Sequence, residues 1–385
     1  MTEALKTGAL SILKNQDDIS ILLIGYHRKL HRKRICCSII CRFNSCFRNL
    51  SAWNIRVQLV VLNSLCLVLM VFALMYTNNV HRTPPSHSQP YECKEDFGYG
   101  KASLEEIISG TAQQLEHPNF TYIRNANKTC IPNSDVLLLI LVKSAVGHFR
   151  KRQYIRETWG KDARKRGFKI AFLLGFSKFE DAIVGIENGL HEDLIQQNFE
   201  DSYVNNTHKI KMALSWISEY CKQAKYILIV DDDMYVNIPN TISFILQEAI
   251  SPDEDFYSGH LVPEPYPDRC LKSKHFISKT QYPFACYPPY IAGGSILLNK
   301  YTVEQFVRVM QFIPYLPFDD VFLGFIAQKL GIEPTKNAYI SLEERTTNAN
   351  DIKNFISQHG YNTNILFRIA YNNTHMQMKT VIKLA

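Results

Sequence analysis

The sequence lacks the short motifs that define several large classes of nucleotide-binding and hydrolytic enzymes. It contains no G-x-G-x-x-G fingerprint, no Walker phosphate loop and no G-x-S-x-G nucleophile elbow. Cysteine and histidine do not occur at zinc-binding spacings, and there are no internal repeats, heptads or low-complexity tracts. These absences argue against a dinucleotide-binding Rossmann enzyme, a P-loop NTPase, an α/β-hydrolase and a zinc module.

The main body of the chain also lacks net charge. The 385 residues carry a formal charge of +7, but residues 1–56 contain ten Lys/Arg against three acidic residues and account for all of it. The other 329 residues contain 33 basic and 33 acidic side chains. Because the basicity is confined to one end, we expect no nucleic-acid partner for the main body.

The segment Val57–Tyr76 has no charged residue over twenty positions. As a helix it is about 30 Å long, which matches the hydrocarbon core of a bilayer. A cleaved signal peptide fits poorly, because such peptides lie nearer the N-terminus and have a shorter apolar core. Arg48 and Arg56 precede the span, and only His81 and Arg82 follow it closely, so the positive-inside rule places the N-terminus in the cytosol.

The resulting expectation is a single-pass type II membrane protein with four segments. These are a basic cytoplasmic tail (1–56), a signal-anchor helix (57–76), a luminal stem (77–134) and a main domain (135–385). Five cysteines lie beyond the span, where disulfides can form, but their pairing is not determined by the sequence. Four N-glycosylation sequons also follow the span, at Asn119, Asn127, Asn205 and Asn372, while Asn49 precedes it and is expected to stay unmodified.

Three continuous apolar runs in the main domain, at 136–142, 169–175 and 226–230, have the length of strands buried on both faces. Helices are predicted at 150–160, 180–197 and 207–221, and an earlier one at 103–115. Strands that alternate with helices predict a parallel sheet and an α/β fold. Beyond residue 250, the Pro- and Tyr-rich composition indicates loops and antiparallel strands.

Three consecutive aspartates, Asp231–Asp233, follow the third apolar run directly. Ligands of open α/β sheets bind beyond the carboxyl ends of the strands, and adjacent carboxylates are tolerated there when a cation neutralises them. Hard oxygen ligands suit Mn²⁺ or Mg²⁺, and the spacing excludes an EF-hand. The alternative is a solvated acidic turn that precedes the next helix.

Two further segments carry candidate site residues. Gly293 and Gly294 precede an apolar strand and allow close approach of a substrate to the backbone, although a β-bulge is the alternative. Asp319 and Asp320 begin a predicted helix, where one acid suits an N-cap and the other a general base.

Five segments together resemble the β-1,3-glycosyltransferases of the Golgi, and the nearest likeness is to the brainiac-type subgroup. The segments are ILVKSAVGHFRKRQYIRETWG, FEDSYVNNTHK, VDDDMYVN, PPYIAGGSILL and FDDVFLG, and they lie in order within about 135–331. This resemblance implies a GT-A nucleotide-sugar fold, with a mixed and mostly parallel sheet, and a UDP-sugar donor.

The resemblance also implies roles for individual residues. Asp320 corresponds to the catalytic base, and Asp233 corresponds to the metal ligand of the DxD motif; His359 is a candidate second ligand, with a surface-loop histidine as the alternative. Asp231 or Asp232 is expected to face the ribose. The other donor-side residues implied are Lys143, Ser144, Arg152, Arg156, Trp159, Asp201 and Lys209. The acceptor side is expected to include Tyr290, Gly293, Gly294 and Asp319, and many relatives have Glu at the position of Asp319.

The function expected from this resemblance is inverting transfer of galactose or N-acetylglucosamine from a UDP-sugar to the 3-hydroxyl of a glycan. UDP-galactose or UDP-N-acetylglucosamine is the expected donor, Mn²⁺ or Mg²⁺ the cofactor, and a glycolipid or glycoprotein the acceptor. The expected location is the Golgi membrane with the catalytic domain in the lumen. Two other classes of protein are possible from the sequence. One is a membrane-anchored carbohydrate-binding module without turnover. The other is a metal-dependent phosphohydrolase, which is disfavoured because one acidic run supplies no second metal site.

Overall fold

The computed structural model describes residues 102–247, 251–263, 265–342 and 351–384. The expected cytoplasmic tail (1–56), signal-anchor helix (57–76) and first part of the stem lie outside these residues. Within the described part of the chain, no helix combines the length and the apolar character needed to cross a membrane.

The described residues form nine helices, three short 3₁₀ turns (Tyr203–Asn205, Met310–Phe312, Asp351–Asn354) and two sheets. The helices are α1 Leu104–Ser109, α2 Phe149–Glu157, α3 Trp159–Lys165, α4 Asp181–His191, α5 Asn206–Tyr220, α6 Ile238–Gln247, α7 Lys300–Val309, α8 Asp319–Leu330 and α9 Asn364–Leu384. The strands are β1 Tyr122–Arg124, β2 Val136–Lys143, β3 Lys169–Phe176, β4 Leu194–Glu200, β5 Ala224–Asp231, β6 Met234–Val236, β7 Tyr257–Val262, β8 Tyr290–Asn299, β9 Thr335–Lys336, β10 Ile340–Ser341 and β11 Ser357–His359.

The main sheet has eight strands in the order β1-β4-β3-β2-β5-β8-β7-β9. Strands β4, β3, β2 and β5 are parallel, whereas β8 runs antiparallel to both β5 and β7. The small sheet has the order β10-β11-β6. The prediction of a parallel α/β sheet followed by antiparallel strands is therefore confirmed.

Strands β2, β3 and β5 are continuously apolar because helices cover both faces of the sheet. Leu139 and Leu141 point to one core, which includes Trp216 of α5 and Phe322 of α8. Leu138 and its neighbours on the opposite face join a second core with residues of α2, α3 and α9. The two cores fix the sheet rigidly, so the carboxyl ends of its central strands keep a constant geometry.

The predicted helix 180–197 is wrong in its second half. Helix α4 ends at His191, where Glu192 adopts a left-handed conformation with φ of 50°. Residues 194–200 then form β4, which pairs in parallel with β3. The predicted helix 103–115 is likewise shorter, because Ser103 and Glu106 form a capping box at its start and Gly110, with φ of 74°, ends it.

The segment that the sequence assigned to the stem is not all linker. Strand β1 pairs antiparallel with β4 and extends the main sheet by one strand. A disulfide joins Cys130 to Cys221 at the end of α5, and the indole of Trp216 donates a hydrogen bond of 2.7 Å to Asn125. Cys286 is also disulfide-bonded. The folded domain therefore begins before the expected boundary at residue 135.

Candidate active site

The carboxyl ends of β2 and β5 lie side by side and form the floor of a cleft of about 600 Å³. The strand register places Lys143 opposite Asp231. The glycines of β8 and the first turn of α8 complete the floor. The residues that line the cleft include Lys143, Tyr203, Asp231, Tyr266, Lys274, His275, Tyr290, Gly293, Gly294, Asp319, Asp320 and His359.

Lys143 is a buried cation that joins two acidic segments. Its Nζ lies 3.0 Å from Oδ1 of Asp231 and 2.5 Å from Oδ2 of Asp319. Burial disfavours the ammonium charge, but the charges of Asp231 and Asp319 outweigh burial and raise the pKa of Lys143. Burial raises the pKa of Asp231 to about 6, against the opposing effect of Lys143. The bridge therefore fixes the start of α8 to the end of β5.

The three aspartates of the triplet have different environments. Asp232 is buried and accepts hydrogen bonds from Ser144 at 2.7 Å and Lys151 at 3.0 Å, and its carboxylate lies 2.8 Å from Nδ1 of His148. Burial opposes its charge, but these partners lower its pKa to about 2. Asp231 lines the cleft and Asp232 does not.

Asp233 is brought next to His359 by the small sheet. Strand β11 pairs antiparallel with β6, with His359 opposite Met234. Oδ2 of Asp233 is 3.5 Å from Nε2 of His359, and the carbonyl of Asp233 accepts hydrogen bonds from the amides of Gly360 and Tyr361. This pairing raises the pKa of His359. Among the described residues, no three His, Cys, Asp or Glu side chains form a ready metal cage.

Asp320 sits at the first turn of α8 and lines the cleft. Its carboxylate accepts hydrogen bonds from the amides of Gly293, at 3.3 Å, and Val321, at 2.8 Å. No ion pair to Asp320 is present within the described residues. Burial and the neighbouring charge of Asp319 raise its pKa to about 7, although Lys143 opposes this shift.

The two glycines of β8 lie where side chains would collide with the site. A Cβ on Gly293 would lie 3.2 Å from Nζ of Lys143, and one on Gly294 would lie 2.5 Å from a methyl group of Leu342. Tyr290, three residues earlier, lines the cleft, and burial and the charge of Asp320 raise its pKa. The glycines therefore keep the cleft floor open beside Asp319 and Asp320.

Three of the residues expected on the donor side, Arg152, Arg156 and Trp159, are buried and do not line the cleft. Arg152 is fully buried, and its five N–H groups all donate to protein acceptors: the carboxylate of Glu187, the Ser144 hydroxyl, and the carbonyls of residues 145 and 146. Arg156 binds Asp193 and Glu187, and its guanidinium stacks on the ring of Phe172. Trp159 is 1% exposed and packs in the second core. These three side chains therefore stabilise the protein interior next to the site, and they do not line the cleft as the sequence predicted.

Asp201 and Lys209 support the same loop from the other side. Nζ of Lys209 donates to Asp201 and to the carbonyl of Ser144, both at 2.8 Å. The other oxygen of Asp201 accepts from the amides of Val146 and Gly175. Residues 144–146, which follow β2 directly, are thus fixed by two buried ion pairs. The conformation of this loop is therefore specified by contacts within the protein.

Sequence reasoning missed several residues of the site. His148 contacts Asp232, and Tyr203, Tyr266, Lys274 and His275 line the cleft. No spacing rule marks the last four residues, because they come from a turn and a long loop. The Pro- and Tyr-rich composition beyond residue 250 was the signal available in the sequence.

The four sequons differ in accessibility. Asn119, Asn127 and Asn372 are exposed. Asn205 is half-buried, and its side-chain nitrogen donates a 2.8 Å hydrogen bond to the carbonyl of Glu200.

Comparison with known proteins finds that the chain is similar to glycosyltransferases. A family model described as Galactosyltransferase matches residues 150–338. The chain is 31% identical over 322 residues to a lactosylceramide 1,3-N-acetyl-beta-D-glucosaminyltransferase of Xenopus tropicalis, covering 80% of this chain and 84% of that protein. It is 32% identical over 271 residues to the beta-1,3-galactosyltransferase brn of Drosophila melanogaster, covering 69% of this chain and 80% of that protein.

A third relative is an acetylgalactosaminyl-O-glycosyl-glycoprotein beta-1,3-N-acetylglucosaminyltransferase of Mus musculus, 32% identical over 228 residues, with 57% of this chain and 58% of that protein covered. The resemblance inferred from the five sequence segments is confirmed by these matches. The chain belongs to the galactosyltransferase family of β-1,3-glycosyltransferases, and it is a glycosyltransferase.

Proposed function

We propose that the protein transfers galactose or N-acetylglucosamine from a UDP-sugar to the 3-hydroxyl of a glycan acceptor, with inversion at the anomeric carbon. The names of its relatives include both sugars, and they include a glycolipid acceptor and a glycoprotein acceptor. The glycolipid is the preferred choice for this chain, because most of the relatives with high coverage are named for lactosylceramide.

The observation that carries the proposal is the environment of Asp320. Its carboxylate faces the cleft, is oriented by two backbone amides and has a pKa raised to about 7 by burial and by Asp319. A carboxylate of that basicity accepts a proton from a hydroxyl far better than an ordinary aspartate does. Its neighbour Asp319 is bound to Lys143 and is therefore not the base.

The proposed reaction is a single displacement. Asp320 accepts the proton of the acceptor 3-hydroxyl while that oxygen forms a bond to the anomeric carbon of the donor sugar. The bond from the anomeric carbon to the UDP oxygen breaks on the opposite face, and UDP leaves with the electron pair. Since the donor is α-linked, attack from the opposite face yields a β-1,3 linkage.

A divalent cation is the proposed cofactor, and Asp233 and His359 are the side chains that would hold it. One carboxylate oxygen and one imidazole nitrogen fit Mn²⁺, because Mg²⁺ prefers oxygen ligands alone. Because Asp233 and His359 would supply only two ligands, a diphosphate could also bind to the ion. When bound, the cation supplies positive charge that stabilises the leaving UDP.

We also propose that residues 57–76 anchor the protein in the Golgi membrane, with the active site in the lumen. The Cys130–Cys221 disulfide supports an oxidising compartment. The exposed positions of Asn119 and Asn127 are compatible with glycosylation there. Protease protection of the luminal part in intact microsomes tests this topology, and digestion of that part without detergent would contradict it.

The test of activity uses the full-length protein in detergent with Mn²⁺, UDP-galactose or UDP-N-acetylglucosamine, and lipid-linked glycan acceptors. We expect acceptor-dependent release of UDP and a β-1,3 linkage in the product by NMR. Asp320→Asn should lower turnover by roughly 10²- to 10⁴-fold and leave UDP affinity nearly unchanged. Near-normal turnover of that variant would refute the role of Asp320.

A matched control is Asp253→Asn, because Asp253 is exposed and does not line the cleft. If the wild-type protein releases no UDP from any UDP-sugar in the presence of these acceptors, the proposed donor and acceptor classes are wrong.

A further inference from the structure

The outer face of helix α4 is apolar although it lies at the protein surface. Four large side chains of this region are exposed: Phe179 at 93%, Ile183 at 49%, Ile186 at 67% and Leu190 at 73%. We call these four residues the α4 stripe; Phe179 belongs to the turn that precedes the helix. The inner face of α4 packs against the protein through the buried Val184. Because a surface helix normally turns polar side chains outward, an apolar outer face indicates a partner that covers it.

The members of the α4 stripe are spaced symmetrically along the chain. The intervals between them are four, three and four residues, which places them on one side of a helix, as in the contact seam of a helix pair. The same intervals are read from either end. An antiparallel second copy of α4 would therefore place Phe179 opposite Leu190 and Ile183 opposite Ile186, so that every member of the stripe has an apolar partner.

Small residues beside the stripe leave room for a second helix. Ala182 and Gly189 are both exposed. No other part of the described chain comes within 4 Å of the position that a Cβ on Gly189 would take. Glycine weakens a helix relative to alanine, and packing within the described chain does not require it here. A position without a side chain lets the backbone of another helix approach closely.

The charges of this segment favour a second copy over a lipid bilayer. Residues 178–192 contain one lysine against four acidic side chains. Helices that lie in a membrane surface are instead rich in Lys and Arg beside their apolar face. Three of the acids are ion-paired within the chain: Asp181 with Arg124 at 2.8 Å, Glu187 with Arg152 at 2.7 Å and Glu192 with Lys128 at 2.7 Å. Two copies can therefore approach along the stripe with little electrostatic repulsion.

We propose that the α4 stripe binds the α4 stripe of a second copy of this protein, with the two helices antiparallel about a two-fold axis. A two-fold contact is closed, so it forms dimers and not filaments. Because the eleven residues of α4 extend over only about 16 Å, the contact is smaller than the roughly 800 Å² per partner of a standard interface. The dimer is therefore expected where the proposed membrane anchor holds both chains in one plane at a high effective concentration.

The test is cysteine cross-linking of the full-length protein in native membranes. Two copies with different tags are co-expressed, one with Phe179→Cys and the other with Leu190→Cys, and oxidised with copper phenanthroline. In the antiparallel pair these two positions face each other, within the reach of a disulfide. When either variant is expressed alone, its two cysteines are separated by about 16 Å along the helix axis, which a disulfide does not span. We expect a cross-linked dimer from the mixture and only the wild-type background from each variant alone.

An added charge separates a specific contact from crowding in the membrane. Ile186→Asp on both tagged copies places two carboxylates in an apolar interface, and the cross-linked yield should fall by about tenfold. Ile365→Asp is the matched control, because Ile365 is 69% exposed on α9, close to the 67% of Ile186, and it should leave the yield unchanged. Thermal unfolding should give the same Tm for the two aspartate variants, since both side chains are exposed.

Ile183→Cys with Ile186→Cys is the second pair, and it decides the outcome if Phe179→Cys does not fold; the mixture should again give more dimer than either variant alone. Equal yields from the mixture and from the single variants would overturn the proposal, as would an equal loss in Ile365→Asp. A mixture that gives no dimer above background also overturns it, and reaction of Leu190→Cys with a maleimide-bearing lipid would then assign the stripe to the bilayer. None of these measurements depends on sugar transfer, so this inference and the proposed function fail separately.

Discussion

Substitution of Lys143 by Met tests whether the buried ammonium holds the site together. Lys143 is 5% exposed and is bound to Asp231 and Asp319, so the substitution leaves two carboxylates without their cation. At 3.0 Å and an effective dielectric constant near 20, the attraction between Lys143 and Asp231 is about 5.5 kcal/mol before desolvation is subtracted, and the shorter pair with Asp319 is somewhat stronger. Removing one partner of a buried ion pair typically costs about 3–5 kcal/mol, and we expect a loss in that range.

The assay is thermal unfolding of the full-length protein in detergent. A loss of that size should lower the apparent Tm by roughly 6–20 °C for a domain of this length. Lys151→Met is the matched control, because Lys151 also binds an aspartate of the triplet at 3.0 Å. Asp232 keeps its hydrogen bonds with Ser144 and His148 in that variant, so we expect a loss of only about 1 kcal/mol.

A double substitution identifies the cause of the loss. Lys143→Met with Asp319→Asn removes one uncompensated charge, so the double variant should unfold at a higher temperature than Lys143→Met alone. A Tm of Lys143→Met within about 2 °C of Lys151→Met would refute the reasoning, and so would strictly additive effects of the two substitutions.

Three further predictions concern the pH dependence of activity, the metal requirement and the Cys130–Cys221 disulfide. Because Asp320 acts as a base only when deprotonated, kcat/KM should rise with pH through about 7, and an unchanged rate at pH 5.5 would contradict that role. Asp233→Asn and His359→Ala should each raise the Mn²⁺ concentration needed for half-maximal activity, measured by titrating Mn²⁺ into chelator-treated protein. An unchanged half-maximal Mn²⁺ concentration in both variants would show that neither residue is a ligand. Replacement of both Cys130 and Cys221 by Ser should lower the free energy of unfolding by about 4–5 kcal/mol, because the disulfide joins residues 91 positions apart and constrains the unfolded chain. Urea unfolding measures this loss, and an unchanged free energy of unfolding would refute the constraint.

The central strands and the acidic triplet were predictable because their signals are local. An apolar run such as 136–142 is compatible only with burial on both faces, and the position of Asp231 at the end of such a run places it at the ligand edge. Strand β4 was missed because its sequence, LIQQNFE, follows a helix directly and contains three polar residues in a row. The left-handed Glu192 that ends the helix has no glycine to mark it.

The pairing of Asp233 with His359 shows a different limit. More than one hundred residues separate them in the chain, and only the antiparallel register of β6 and β11 brings them together. The sequence supplied His359 as a candidate through family resemblance alone. A contact of this kind depends on the tertiary fold, which local propensity does not encode.

The segment RQYIRETW, residues 152–159 of the first family-like segment, illustrates why a motif does not by itself identify ligand contacts. Arg152 and Arg156 fall within it, yet their guanidinium groups bind Glu187 and Asp193, which belong to and follow α4. Arg152 also donates to the carbonyls that precede Gly147. The arginine at position 152 therefore holds the loop 144–146 in place. No other side chain offers five N–H donors in one plane, so replacing a buried arginine that uses all five would leave acceptors without partners. This structural requirement explains the arginine at position 152 without any contact to the substrate.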